Sequence, residues 1–248
     1  MVIHTFGDPK DPAILLIHPM LLSGRQMIEG IGKKIPGSYF LIAPDQGGHG
    51  DDTGAFTPKK DAEELTRYLK ELGKSEVELL FAASMGGITA MALLEMGELR
   101  FRNTYLDGVP LARIKGITRL LSVPGMVAAR NKAAGDPAAI GGKIAPLYGE
   151  EMGLSMAKQL GRLPKANVIS IEKACLNGCA VPVDESVCGR LTFEWGGKEI
   201  NRVGGEPLAG KLYPRAKIVI REGLGHCERL GKEQEQYAMD LAAEINSR

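Results

Sequence analysis

The chain has 248 residues, 44% hydrophobic and 25% charged, which is enough for one large core in a domain of α/β size. Its 31 Lys and Arg against 30 Asp and Glu give a formal net charge of +1, and no basic cluster forms a phosphate-tracking stripe, so no nucleic-acid partner is expected. No apolar run approaches the roughly 18 residues of a membrane span, and the start, MVIHTFGDPKDP, lacks the basic and apolar regions of a signal peptide.

Residues 13–17 (AILLI) form a short, uniformly apolar run that predicts a buried strand, ending at His18-Pro19. A second strand is predicted over 39–43. A helix over 25–34 lies between them, weakened by its glycines. The helix predicted over 61–72 is better formed, with Leu65, Tyr68, Leu69 and Leu72 on one face and Gly73 as its stop. A third strand follows over 76–81. The helix over 85–96 is small and apolar nearly all round, hence buried. A fourth strand, 102–106, ends at Asp107-Gly108.

The alternation then lapses. Residues 111–180 predict helical pieces broken by Pro124, Gly125, Gly135, Pro137, Gly141, Gly142, Pro146 and Pro164. This stretch holds ten Lys or Arg, four Asp or Glu, and Tyr148 as its one aromatic residue. Such an excess is usually a solvated face; turned inward, it would favour an acidic or polar-headed substrate. Strands resume over 191–195 and 217–220, and a helix over 232–246 closes the chain. The predicted fold class is α/β: a mainly parallel central sheet with helices on both faces, built from 1–110 and 185–248, with 111–184 as a helical insert. The four cysteines, Cys175, Cys179, Cys188 and Cys227, are sparse and read as reduced thiols, which predicts a cytoplasmic protein. Cys175 and Cys179 could share a helical face, but no His/Cys pair completes a zinc site, so no metal is expected.

In an open parallel sheet the ligand site lies at the carboxyl ends of the strands. Four loops there carry reactive residue types: 18–24, 84–87, 196–199 and 223–228. They supply a serine, an acid and a histidine in that chain order. A serine hydroxyl becomes a useful nucleophile only when a base takes its proton, and His226 is the candidate base for Ser84. A carboxylate on the far ring nitrogen would fix the tautomer, and Glu199 competes for that place with Asp107. By itself Ser84 fits a helix N-cap equally well. A nucleophile on a tight strand-to-helix turn needs small residues two before and two after it, which Ala82 and Gly86 are. His4 reads as a surface residue, His18 as a support of the first loop, and His49 as part of a glycine turn. That turn, 47–50, has neither the Lys-Ser/Thr of a P-loop nor dinucleotide spacing.

Five segments, in order, resemble the α/β-hydrolase fold superfamily in its lid-bearing serine-esterase branch. Residues 14–20 (ILLIHPM) are similar to its apolar strand and oxyanion loop, and 43–50 (APDQGGHG) to its Pro-Asp-x-x-Gly-His-Gly segment. Residues 82–87 (AASMGG) are similar to its nucleophile elbow, 194–199 (EWGGKE) to its strand-Gly-x-x-acid pattern, and 223–226 (GLGH) to its Gly-His. The resemblance implies a serine hydrolase cleaving a carboxylic ester or related acyl bond through an acyl-enzyme on Ser84. It casts His226 as base, Glu199 as the orienting acid, and the N–H groups of Met20 and Met85 as the oxyanion hole. A helical lid, a small-molecule substrate and no cofactor are also implied. Pro19 stands where the family has glycine, and Glu199 where it more often has Asp. The same triad serves C–C hydrolases, lactonases, acyltransferases and cofactor-free peroxidases, and the same fold serves small-molecule receptors; the sequence leaves these open, as it does the oligomeric state.

Overall fold

The computed structural model describes residues 1–247. In chain order the strands and helices are β1 (Val2–Phe6), β2 (Ala13–Ile17), α1 (Gly24–Gly30), β3 (Phe40–Asp45), α2 (Pro58–Glu71), β4 (Glu76–Ala83), α3 (Gly86–Met96) and β5 (Arg100–Asp107). Then come α4 (Gly116–Gly135), α5 (Pro137–Tyr148), α6 (Glu150–Arg162), α7 (Lys165–Asn177), α8 (Glu185–Cys188), β6 (Leu191–Gly196), α9 (Ile200–Leu212), β7 (Lys217–Arg221), α10 (Arg229–Lys232) and α11 (Gln234–Asn246). The strands form one sheet of order β1-β3-β2-β4-β5-β6-β7, parallel throughout except that β1 runs antiparallel to β3.

The apolar runs are continuous because the central strands are covered on both faces. The two-residue period of the pleat sorts their side chains. Ile14, Leu16, Leu41, Ala43, Leu79 and Phe81 enter one core with α1 and α11. Ala13, Leu15, Ile17, Ile42, Leu80 and Ala82 enter the other with α2 and α3.

Four elements differ from the sequence expectation. β1 is an added edge strand that brings half-buried His4 to Asp45, Nε2 to Oδ2 2.8 Å, so His4 is not a free surface residue. α9 forms despite Gly204, Gly205, Pro207 and Gly210, because Gly205 seats on the Trp195 indole, where a Cβ would lie 2.9 Å from Cζ2. Several expected breaks are also helical. α4 runs through Pro124 and Gly125, and α5 through Gly141, Gly142 and Pro146, both prolines lying on exposed faces. Gly141 and Gly153 serve close helix packing instead. A Cβ on Gly153 would lie 2.9 Å from Gly141 O and Ala145 N, so α5 and α6 meet backbone to backbone.

Helices α4 to α7 sit over the carboxyl ends of the strands. They are held there by Gln159 Nε2 to Gly48 O (2.9 Å), Asn167 Nδ2 to Gly54 O (2.8 Å) and Gln26 Nε2 to Ser155 Oγ (3.1 Å). Among the described residues no helix is long and apolar enough to cross a membrane.

Candidate active site

The site is built where β4 meets α3. Ser84 takes φ of +47°, a left-handed conformation costly for a residue with a Cβ. The strain is held by Ser84 N–H donating to Asp107 O (2.7 Å) and Gly87 N–H donating to Ser84 O (2.9 Å). A Cβ on Gly86 would lie 2.7 Å from both Ile17 O and His18 O, so only glycine lets α3 approach β2 this closely. Ser84 Oγ does not cap α3, whose N-cap residue is Met85. It reaches His226 Nε2 instead, at 2.7 Å.

His226 follows β7, and Glu199 follows β6 just before α9. Their two loops are tied by Gly197 N–H to Arg221 O (2.9 Å) and Lys198 N–H to Leu224 O (3.1 Å). Gly196 permits that approach, since a Cβ there would lie 2.3 Å from Gly225 O. Across the tie, His226 Nδ1 meets Glu199 Oε2 at 2.5 Å. Asp107, the other expected acid, accepts from Tyr237 Oη (2.9 Å) and does not meet the imidazole nitrogen.

The electrostatics separate the two carboxylates. Asp107 is buried at the sheet's edge of the site, and burial, with the nearby charges of Glu194 and Glu199, pushes its pKa up to about 7. Burial pulls the His226 imidazole down, but the bond and charge of Glu199 with the charge of Asp107 outweigh it and leave the pKa raised. Behind the site, Glu194 accepts from Tyr105 Oη (2.6 Å) and Arg221 Nε (2.6 Å), and Arg229 bridges Glu194 to Asp240.

The first loop is held by buried His18. Gln46 N–H donates to its Nε2 (2.9 Å), so the ring proton sits on Nδ1 and is donated to Pro19 O (2.7 Å). Burial lowers the His18 pKa to about 4, which keeps it neutral. His49, also buried, packs 5.1 Å from the His18 ring and is lowered to about 3 by burial first and then by His18. The N–H groups of Met20 and Met85 have no backbone partner among the described residues.

A cavity of about 690 Å³ opens on Ser84 and His226, with Met20, Leu21, Met126, Leu147 and Met156 on its walls. Helices α4 to α7 contribute Thr118, Ser122, Tyr148, Glu172 and Cys175. None of the ten cations of 111–180 lines it, which removes the expected route to an acidic substrate; the one lysine present is Lys198, outside that stretch. Two contributors escaped the sequence reading. Tyr148, the insert's one aromatic residue, donates its hydroxyl to His226 O. Glu172 accepts from Ser122 Oγ at 2.6 Å, a pair separated by fifty positions that no local motif announces.

Among the described residues, His4, Asp45 and Asp51 form a group compact enough to hold a metal ion. Asp45 already accepts from Gly24 N–H (2.7 Å), Asp51 N–H (2.8 Å) and His4, so its oxygens are engaged by the chain itself.

No protein-family model matches the sequence. A 3-hydroxybutyrate-oligomer hydrolase from Cupriavidus necator is 25% identical over 115 residues, 44% of this chain and 39% of that protein, so the match spans well under half the length of that relative. An alpha/beta hydrolase family protein from Desulfitobacterium hafniense has a TM-score of 0.74 at 20% identity, covering 99% of this chain and 100% of that one. A carboxylesterase structure from the thaumarchaeon Nitrososphaera gargenis has a TM-score of 0.75 at 13% identity, covering 99% and 95%. At such identities the likeness is one of fold.

Proposed function

We propose that this chain, which has the α/β-hydrolase fold, is a serine hydrolase that cleaves a carboxylic ester or related acyl bond through an acyl-enzyme. The observation that carries the reading is the continuous hydrogen-bonded series Ser84 Oγ, His226 Nε2, His226 Nδ1, Glu199 Oε2, with its serine end open to the cavity. Ser84 Oγ attacks the acyl carbon while its proton passes to His226 Nε2. The negative oxygen of the tetrahedral intermediate accepts from Met20 and Met85 N–H. Collapse breaks the bond to the leaving oxygen, which takes the proton from His226. Water then repeats the sequence on the acyl-enzyme: His226 takes its proton, the hydroxyl adds, and Ser84 leaves reprotonated. Glu199 holds the imidazole in the tautomer that presents bare Nε2 and stabilises the imidazolium formed midway.

The substrate is a small molecule held under α4 to α7, and 111–184 is read as a lid on a core of 1–110 and 185–248. The free state of all four cysteines supports a cytoplasmic setting. Labelling by a fluorophosphonate probe tests the mechanism. Intact protein labels and Ser84→Ala does not. Absence of labelling, or labelling that survives Ser84→Ala, would leave a ligand-binding protein on a hydrolase fold. Rates on p-nitrophenyl esters of increasing chain length then define the acyl preference.

A further inference from the structure

Apart from the Ser84, His226 and Glu199 series and the core residues Lys198, Asn201 and Glu228, the polar side chains lining the cavity lie on one wall of the helical insert. There α7 presents Glu172 and Cys175, one turn apart, and α4 presents Thr118 and Ser122. Cys175 and Met20 both pack on the cluster that contains Met85, so this polar wall adjoins the two residues whose N–H groups are proposed to meet the reacting oxygen. Glu172 is more than nine-tenths buried. Its Oε2 accepts from Ser122 Oγ, while Oε1 accepts no hydrogen bond from the described chain and is not among its sealed, unpartnered atoms, so it is reached from the cavity. No Lys or Arg of the insert lines the cavity with it; the one lysine on the lining, Lys198, follows β6. A ligand that fills this cavity without offering a donor strips water from the carboxylate and leaves its lone pairs unsatisfied, which is costly. One serine hydroxyl satisfies one of them.

We propose that Glu172 is a substrate-recognition residue: its free oxygen accepts a hydrogen bond from a donor group, hydroxyl or ammonium, carried by the substrate away from the scissile bond. This rests on the hydrolase reading above. The chemistry also sets what the site rejects. A substrate carboxylate would meet Glu172 with like charge, and an all-hydrocarbon chain would leave its free oxygen dry and unpaired. Sites built to accept a donor discriminate against the analogue lacking it far more sharply than apolar pockets sense a methylene. A tie between α4 and α7 alone would use the Ser122 bond and require nothing of Oε1.

The test is a matched set of esters bearing methyl, hydroxyl, ammonium or carboxylate. The group is stepped outward along the acyl chain of p-nitrophenyl esters, and separately along the alcohol of acetate esters. Wild-type kcat/KM is expected to favour a donor-bearing ester over its methyl match by about tenfold or more at one position of one series, and to disfavour the carboxylate. Preference for hydroxyl alone, ammonium alone or both identifies the source of the donor. Glu172→Leu is expected to collapse that ratio toward one. Glu172→Gln, which keeps the shape and the Ser122 bond, is expected to abolish any ammonium preference and weaken the hydroxyl one. Fluorophosphonate labelling of Ser84 is read in parallel. Wild type that labels yet shows no donor preference in either series overturns the proposal, as does a Glu172→Leu protein that labels and keeps the wild-type ratio. Wild type that fails to label overturns the hydrolase reading instead.

Discussion

Replacing Gly86 by alanine bears on both the stability and the chemistry of the elbow. In an open helix the change is favourable, because glycine loses more backbone freedom on folding than alanine, by roughly 0.5–1 kcal/mol. At Gly86 the new Cβ would lie 2.7 Å from Ile17 O and from His18 O and 3.0 Å from Ile17 C. These are backbone atoms at the end of β2, so no side chain can swing aside, and the strand end must withdraw by most of an ångström. Overpacking of this kind costs about 1–3 kcal/mol, which exceeds the entropic gain. The strand end leads directly into His18, Pro19 and Met20, so Met20, the proposed oxyanion donor, moves with it. A misplacement approaching 1 Å in a catalytic group costs about 10²-fold in rate. The expected outcome is a Gly86→Ala protein destabilised in urea titration and reduced about a hundredfold in kcat. Gly142→Ala is the internal control: it lies within α5 with nothing inside 4 Å of its Cβ, and should be neutral or slightly stabilising with unchanged activity. A Gly86→Ala protein with wild-type urea midpoint and wild-type kcat would show that the β2–α3 approach does not set the site.

Glu199→Gln should lower kcat by about 10³–10⁴-fold, since an amide donor at Nδ1 turns the imidazole to the wrong tautomer. Wild-type activity should fall as pH drops through the raised His226 pKa, above the ordinary value of about 6.5; in Glu199→Gln, where burial dominates, that acid limb should move to lower pH, and a pH–rate profile with an unmoved limb would contradict the assignment. Asp107 binds its proton more tightly folded than unfolded, so the wild type should lose stability as pH rises from about 4 toward about 7, by no more than about 4 kcal/mol. Asp107→Asn keeps an acceptor for Tyr237 and removes that proton, so its stability relative to wild type should improve across the same window; parallel melting curves at pH 5 and pH 8 would refute this. His18→Ala leaves the buried Gln46 N–H and Pro19 O unpaired and should cost about 1–3 kcal/mol with a fall in kcat; wild-type melting and kcat would show that the loop needs no such tie.

Sequence was most informative where a single strand carries its own signal. Continuous apolar runs such as AILLI mark strands covered on both faces, and the reactive residues follow them because the chain must leave the sheet at those points. It was least informative where two distant segments decide the outcome. Val2–Phe6 is too short and too mixed to announce a strand, and exists because β3 offers it an edge. Ile200–Leu212, with three glycines and a proline, reads as loop until Trp195 is underneath it. Glu199 and Asp107 are both strand-end acids, and the sequence prefers Glu199 through its resemblance to the family's strand-Gly-x-x-acid pattern. What distinguishes them is Tyr237, a residue of the last helix that takes Asp107 for itself. The charge excess of the insert was real, but composition carries no direction, and none of its cations lines the cavity while Glu172 does.

The joint between Tyr148 and the final loop bears on how this cavity can diversify. Ser84, Glu199 and His226 belong to core loops whose spacing the sheet sets, while much of the cavity wall belongs to α4–α7. In principle that helical segment is a module, exchangeable for another of different lining. It is not a free module. The Tyr148 hydroxyl holds the His226 carbonyl, and Gly231 admits the end of α5 so closely that a Cβ there would lie 2.5 Å from Tyr148 Cα. A transplanted segment must therefore carry an aromatic hydroxyl at its second helix end, and its host must keep glycine opposite. That pair is a compatibility rule for chimeras: grafts honouring it keep the His226 loop where it stands, and grafts ignoring it change the lining at the cost of displacing that loop.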